Sequence, residues 1–238
     1  MEIQHHQTST SSHELLKRFS PDNYQKLFYD HYSELVPLCC PDYDEMLDAI
    51  VSGIPKGAET VVDLGCGVGT LLGKIASRLP QIKKLVGADL NSVFLEKARE
   101  AIPEKWGGSL TLTQKDYFEP PLPHGDVYVS SLSIHNAPTV EQLIFYIRLF
   151  RSAPSFIHFE EIKGENREQE EERWDFIRWW FTEIGIADPV RDAVIENMQK
   201  TDCAFKISHH EELATRAGRQ FSLLKTNPAF AVYRTNLV

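Results

Sequence analysis

The sequence predicts an α/β fold: a mostly parallel sheet covered by helices and closed by an antiparallel hairpin. Three observations predict it. Short apolar or β-branched runs alternate with segments whose apolar residues recur at helical spacing. The first such run, Thr60–Asp63, leads into a loop with glycines at alternate positions, Gly65, Gly67 and Gly69, and then into a helix start. Near the other end, Phe221–Lys225 and Phe230–Arg234 flank Thr-Asn-Pro-Ala, which reads as a hairpin.

The elements follow in order. Residues 1–12 are polar and Ser/Thr-rich without an apolar core, so a disordered tail is expected rather than a signal peptide. Residues 13–55 read as N-terminal helices. In them Tyr24, Phe28, Tyr29 and Tyr32 form a stripe at helical spacing. It reads either as a lid over a bound acceptor or as an amphipathic helix packed on the sheet. Residues 56–164 form the core. After the strand at Thr60–Asp63, Leu71, Leu72, Ile75, Ala76 and Leu79 mark a helix closed by Pro80. Leu85–Asp89 is a second strand, and Asn91 or Ser92 caps a helix reaching about Ala101. Leu110–Thr113 is a short third strand, and Pro120, Pro121 and Pro123 force a loop. Asp126–Ser131 is a fourth strand, Val140–Arg151 a helix and Phe156–Glu160 a fifth strand.

Residues 165–218 read as a helical insertion, with helices over Glu165–Ile184, Val190–Lys200 and Glu211–Ala217. The acidic start of the first suits a helix N-terminus. Its Trp174, Ile177, Phe181 and Ile184 share a face, read mainly as core with one aromatic, Trp174, offered to a pocket. Residues 219–238 close the sheet. The whole chain is expected to be a single domain.

Composition narrows the function classes. With 238 residues, 42% of them hydrophobic, the chain is long enough for one well-filled α/β core. Its net charge of −9, without clustered Lys and Arg, disfavours a nucleic-acid partner. No apolar run approaches the roughly 20 residues of a membrane span. The four cysteines, Cys39, Cys40, Cys66 and Cys203, have neither C-x-x-C nor metal spacing, so they read as reduced thiols of a cytoplasmic protein and no metal is expected. The pattern is compatible with a monomer or a homodimer.

The glycine loop carries the chemistry. Glycines let a ligand approach the backbone with no Cβ in the way, and the helix start behind them offers free N–H groups. A dinucleotide fingerprint places its third glycine five residues after the first. Here that position is Thr70, and the third glycine is Gly69. Ligands of doubly wound sheets lie across the carboxyl ends of the strands. The second strand ends at Asp89, whose carboxylate can accept from a ribose diol. The third leads to Asp116 and Tyr117, an acid for an exocyclic amine and an aromatic that, like Leu90, can cover a base face. The fourth ends at Ser130, Ser131 and Leu132.

The run Asp63-Leu-Gly65-Cys66-Gly67-Val-Gly69, with acids at the ends of the next strands, resembles class I S-adenosylmethionine-dependent methyltransferases. The likeness covers roughly residues 58–164 and is closer to the small bacterial members that act on small molecules. It implies a Rossmann-like, seven-stranded fold and S-adenosylmethionine as cofactor, with S-adenosylhomocysteine as product. It implies that Gly65, Cys66, Gly67 and Gly69 hold the methionine part, with Asp63 behind them. Asp89 and Leu90 would take the nucleoside, Asp116 and Tyr117 the adenine, and Ser131 the end of the fourth strand.

Many of these proteins carry Ser-x-x-Ile-His-His-Leu after the fourth strand, and this chain has Ser131-Leu-Ser-Ile134-His135-Asn136. His135 is therefore the candidate base, for an acceptor that must lose a proton from oxygen, nitrogen or carbon. Positioning supplies most of the remaining catalysis, because the sulfonium is already activated. Tyr24, Tyr29, Tyr32 and Trp174 are candidate acceptor contacts. Two other readings keep the cofactor without methyl transfer: a carboxy-S-adenosylmethionine synthase, faintly suggested by Tyr-x-x-Leu-Val-Pro and Tyr43-Asp-Glu-Met, and a non-catalytic binding domain. A nicotinamide dehydrogenase ranks last, because Thr70 breaks its fingerprint.

Overall fold

In the computed structural model, residues 14–237 are described; the expected tail, residues 1–12, lies outside them. Eight strands follow the chain: β1 Thr60–Leu64, β2 Lys84–Asp89, β3 Ser109–Gln114, β4 Val127–Ser131, β5 Ser155–Lys163, β6 Phe205–Lys206, β7 Arg219–Thr226 and β8 Phe230–Leu237. They hydrogen-bond in the order β3-β2-β1-β4-β5-β8-β7, with the two-residue β6 beside the end of β5. The first five are parallel, with Val61 opposite Leu85 and Val127, while β8 runs antiparallel to both β5 and β7. The strand order reverses between β1 and β4, and a crevice opens there at the carboxyl ends.

The central strands are apolar on both faces because helices cover both. Val61, Val62 and Leu64 of β1 and Val129 of β4 are fully buried, as are Phe156, Ile157 and Phe159 of β5. Helices α4 (Thr70–Arg78), α5 (Ser92–Glu100) and α6 (Thr139–Ser152) fall where periodicity predicts them. Asn91 caps α5, its side chain accepting from the backbone N–H groups of Val93 and Phe94. Asp126 fixes the start of β1 by accepting from the N–H groups of Glu59 and Thr60.

Among the described residues, helices α1 (Tyr24–Asp30), α2 (Tyr32–Cys39) and α3 (Tyr43–Gly53) lead into β1. The aromatic stripe expected as one helical face is split, since the chain breaks at His31 between α1 and α2. Helix α1 buries no residue, whereas α3 buries Met46, Leu47 and Ile50 completely against the sheet. Helices α2 and α3 are thus both packed, with Leu35 of α2 also fully buried, and Tyr24 and Tyr29 lie on the outer α1. In the insertion, α7 (Arg167–Glu183) buries Ile177 and Phe181, α8 (Asp188–Thr201) follows, and α9 (Ile207–Arg216) begins four residues before its expected start.

The closing hairpin is held by a charge. Arg219, almost wholly buried, donates to the carbonyls of Phe150, Pro154 and Thr235 at 2.8, 3.1 and 3.2 Å. A buried guanidinium is tolerated because carbonyl dipoles converge on it. Replacing Arg219 with Ala strands those carbonyls, so Arg219→Ala is expected to lower unfolding free energy by about 3 kcal/mol in urea titrations.

Candidate functional site

The loop after β1 owes its path to its glycines. Gly65, Gly67 and Gly69 have φ of 75°, 51° and 80°, a region that disfavours side chains. Gly65 is also a contact point: a Cβ there would sit 1.9 Å from the Ser133 hydroxyl oxygen and 3.2 Å from the Tyr117 ring. At Gly69 a Cβ would meet the α5 backbone at Ala98, 2.7 Å away. Nothing lies within 4 Å of a Cβ at Gly67, so the backbone there is open to a ligand.

Around this loop stand the expected acids. Asp89 accepts from the Gly67 N–H on one carboxylate oxygen and from the Asn91 N–H on the other, both at 2.8 Å. Each oxygen keeps a further lone pair for an incoming hydroxyl. Asp63 is buried, and its Oδ1 has no partner among the described residues. Burial, with the Asp89 charge added, pushes its carboxyl up to about 8. A buried acceptor without a donor beside a glycine loop is a place for a cationic or N–H-bearing ligand.

Of the expected cofactor residues, Asp63, Gly65, Cys66, Gly67 and Ser131 line one cleft, and Tyr32 and Tyr43 line it too. Asp116 accepts from the Phe118 N–H, which leaves its other oxygen free. Tyr117 is buried and points its hydroxyl at Ser133, 2.6 Å away, with its ring against Phe118 and Phe145. Leu90 is 64% exposed, ready to be covered. Gly69 closes the loop, its N–H donating to the Cys66 carbonyl.

The expected acceptor residues are not all gathered here. The Tyr29 hydroxyl accepts from the Asn91 side-chain amide, 2.6 Å away, and its ring stacks on Phe94. Tyr24 reaches instead to the Ala193 carbonyl on α8, and Trp174 lies beneath the Arg173 guanidinium.

His135 lies in a short turn just past β4 and is tied to a partner that the strand-end reading passed over, Glu160 of β5. The Glu160 carboxylate is buried. One oxygen accepts from the Ser133 and Ile134 N–H groups at 3.2 and 2.8 Å, and the other from His135 Nδ1 at 2.5 Å. Burial alone would lower the imidazole pKa, but the charge and hydrogen bond of Glu160 outweigh it and raise it to about 9. With Nδ1 engaged, Nε2 is the ring nitrogen left for proton transfer. Sequence signals for Glu160 did exist, since it ends a strand-like run of the parallel sheet, as Asp89 does. Ser133 and Tyr43 left no signal of their own.

Comparison with known proteins agrees with this geometry. Residues 61–153 match the family model described as "Methyltransferase domain". An uncharacterised methyltransferase of Mycobacterium tuberculosis and one of Mycobacterium bovis are each 30% identical over 99 residues. The match takes in 40% of this chain and 44% of each relative, so the chain covers less than half of their length. Among solved structures, an O-methyltransferase family protein from Burkholderia thailandensis superposes with a TM-score of 0.65 at 16% identity, covering 91% of this chain and 61% of that one. Human N-acetylserotonin methyltransferase in complex with S-adenosylmethionine gives 0.58 at 15%, covering 94% and 62%. The small RNA methyltransferase HEN1 gives 0.60 at 14%, covering 82% and 26%. The fold is the Rossmann-like class I methyltransferase fold. Residues 61–153 are thus similar to a methyltransferase domain.

The glycine contacts rank the loop positions. Gly65→Ala drives a methyl group into Ser133 at a left-handed φ, whereas Gly67→Ala adds only backbone strain. Expected losses of stability are about 3 kcal/mol or more for Gly65→Ala and about 1 kcal/mol for Gly67→Ala, read from thermal or denaturant melts.

Proposed function

We propose that this chain is a single-domain methyltransferase that transfers a methyl group from S-adenosylmethionine to a hydroxyl oxygen of a small metabolite, with His135 as the base. The observation that carries the reading is the His135–Glu160 pair, whose turn sets Ser133 against Gly65 of the glycine loop. When bound, the cofactor supplies an activated methyl group on a sulfonium. Asp89 would hold its ribose, the open backbone at Gly67 its methionine end, and the unpartnered Asp63 oxygen its ammonium, directly or through water. Asp116, with Tyr117 and Leu90 nearby, would frame the adenine.

A hydroxyl acceptor must lose its proton as the carbon–oxygen bond forms and the carbon–sulfur bond breaks. His135 Nε2 takes that proton. Glu160 holds the imidazole by Nδ1 and stabilises the imidazolium that results. The O-methyltransferase family neighbour favours this reading over an amine acceptor. The net charge of −9 favours a small molecule over the RNA named for a third neighbour.

The cleft also suggests how the reaction is screened from water. As described it encloses only about 30 Å³, about one water molecule, with Tyr32 and Tyr43 on its wall. Admitting a nucleoside requires the cleft to widen, and α1, which buries no residue, can then reclose over it as a lid. Trp174 and Tyr24 belong to the surroundings of that lid and the insertion. The cysteines are free and among the described residues no helix is long and apolar enough to cross a membrane, which supports a cytoplasmic setting.

Two measurements test the reading. Isothermal titration should show S-adenosylmethionine binding that weakens at least tenfold in Asp89→Ala; equal binding by both proteins, or none by the parent, refutes it. NMR titration of the His135 imidazole should give a midpoint near 9, so the base form, and with it kcat/KM, grows as pH rises to that value. In Glu160→Gln the largest raising influence is gone while burial remains, opposed only by Glu161 and Asp202, so the midpoint should fall. The methylation rate toward any hydroxyl acceptor found by screening should drop about a hundredfold in His135→Ala.

A further inference from the structure

The cleft that contains Asp63 and the glycine loop is not lined by the Rossmann-like core alone. Two aromatic rings from the N-terminal helices enter it, Tyr32 at the start of α2 and Tyr43 at the start of α3. Both are half-buried, and both rings are held by further aromatics. Tyr32 packs on Phe94 at 5.3 Å and on Phe28 at 5.9 Å, and Tyr43 on Phe159 at 6.2 Å. Rings immobilised in this way keep one orientation toward the cleft and lose little freedom when a ligand arrives.

The position of Tyr32 is specific. Its hydroxyl feels the charges of both Asp89 and Glu160, so it lies near the acid at the nucleoside end and near the acid behind His135. Burial, then those charges, push it up to about 12, so the ring stays a neutral phenol. The reacting sulfur must lie between the same two ends, because it joins the nucleoside to the methyl group that meets the acceptor. Its positive charge is lost on transfer. An electron-rich ring face binds the cation and gains little from the neutral thioether that remains.

We propose that Tyr32 and Tyr43 form an aromatic site for the positively charged sulfonium, so that the N-terminal helices select S-adenosylmethionine over its demethylated product. This deepens the function proposed above and rests on it. It assigns the tyrosines of α2 and α3 to the cofactor rather than to the acceptor. It also gives product release a cause: once the charge has gone, the ring contacts weaken and the product is held less tightly.

The test is a difference of affinities that needs no acceptor. Isothermal titration of the full chain with S-adenosylmethionine and with S-adenosylhomocysteine gives the ratio of the two dissociation constants. Tyr32→Leu and Tyr43→Leu should each weaken S-adenosylmethionine by about tenfold while changing S-adenosylhomocysteine by no more than about twofold. Tyr32→Phe, which keeps the ring, should retain the parental ratio. Circular dichroism checks that each variant is folded, and if one leucine variant is not, the other decides. Parallel loss of both ligands, or no change in either, overturns the proposal, because the rings would then only fill space. A parent protein that binds neither ligand removes the cofactor reading as well, and that outcome differs from a parent that binds both with no charge preference in the tyrosines.

Discussion

The site depends on one buried carboxylate. Glu160 is removed from water within β5, a placement that is unfavourable unless its oxygens are fully used. They are used by three donors from one turn: the N–H groups of Ser133 and Ile134 and the imidazole of His135. That clamp fixes the turn after β4, with Leu132 held at a φ of 51°. Through the turn it fixes two other things. Ser133 is set against Gly65 and bonded to Tyr117, which defines how closely the glycine loop approaches β4. His135 is set with one ring nitrogen engaged and the other free. A desolvated charge thus couples the cofactor loop to the candidate base.

The rest of the site follows from the sheet order. Between β1 and β4 the connections leave in opposite directions, so the loops after these strands part and leave a crevice. Asp63 ends deep in it because β1 is central and buried on both faces. Asp89 stands one strand over, at the end of β2. Two acids with such different surroundings have different tasks. Asp89 is engaged with backbone N–H groups and pins the loop, while Asp63 keeps an oxygen without a donor and is held up to about 8 by burial. A cation bound beside Asp63 relieves that strain, so binding and ionisation are linked.

The N-terminal helices divide the labour differently from a uniform lid. Helix α3 is core, with Met46, Leu47 and Ile50 sealed against the sheet. Helix α2 is anchored too, by Leu35, Val36 and Leu38, all buried. Only α1 buries no residue, held by contacts such as Tyr29 stacked on Phe94 and the Asn91 amide donating to the Tyr29 hydroxyl. Segments with few buried apolar contacts open at low free-energy cost. Both tyrosines of the cleft therefore stand on anchored helices, and α1 is the segment that can move without disturbing the fold.

The sequence by itself determined the order of strands and helices, the glycine loop and the acids at strand ends. Those signals are local: β-branched runs, helical periodicity, the cap at Asn91 and glycines where φ is positive each act over a few neighbouring residues. It also determined that Asp63 and Asp89 share one end of the sheet, because parallel strands put their carboxyl ends together. Tertiary structure alone decided which side chains meet. Glu160 finds His135 25 residues away in sequence, and Tyr32 reaches a cleft whose acid is Asp63. Tyr24 and Trp174 turn elsewhere, and the aromatic stripe breaks at His31. Such pairings depend on strand order, helix docking and the desolvation of particular charges, and no spacing along the chain encodes them.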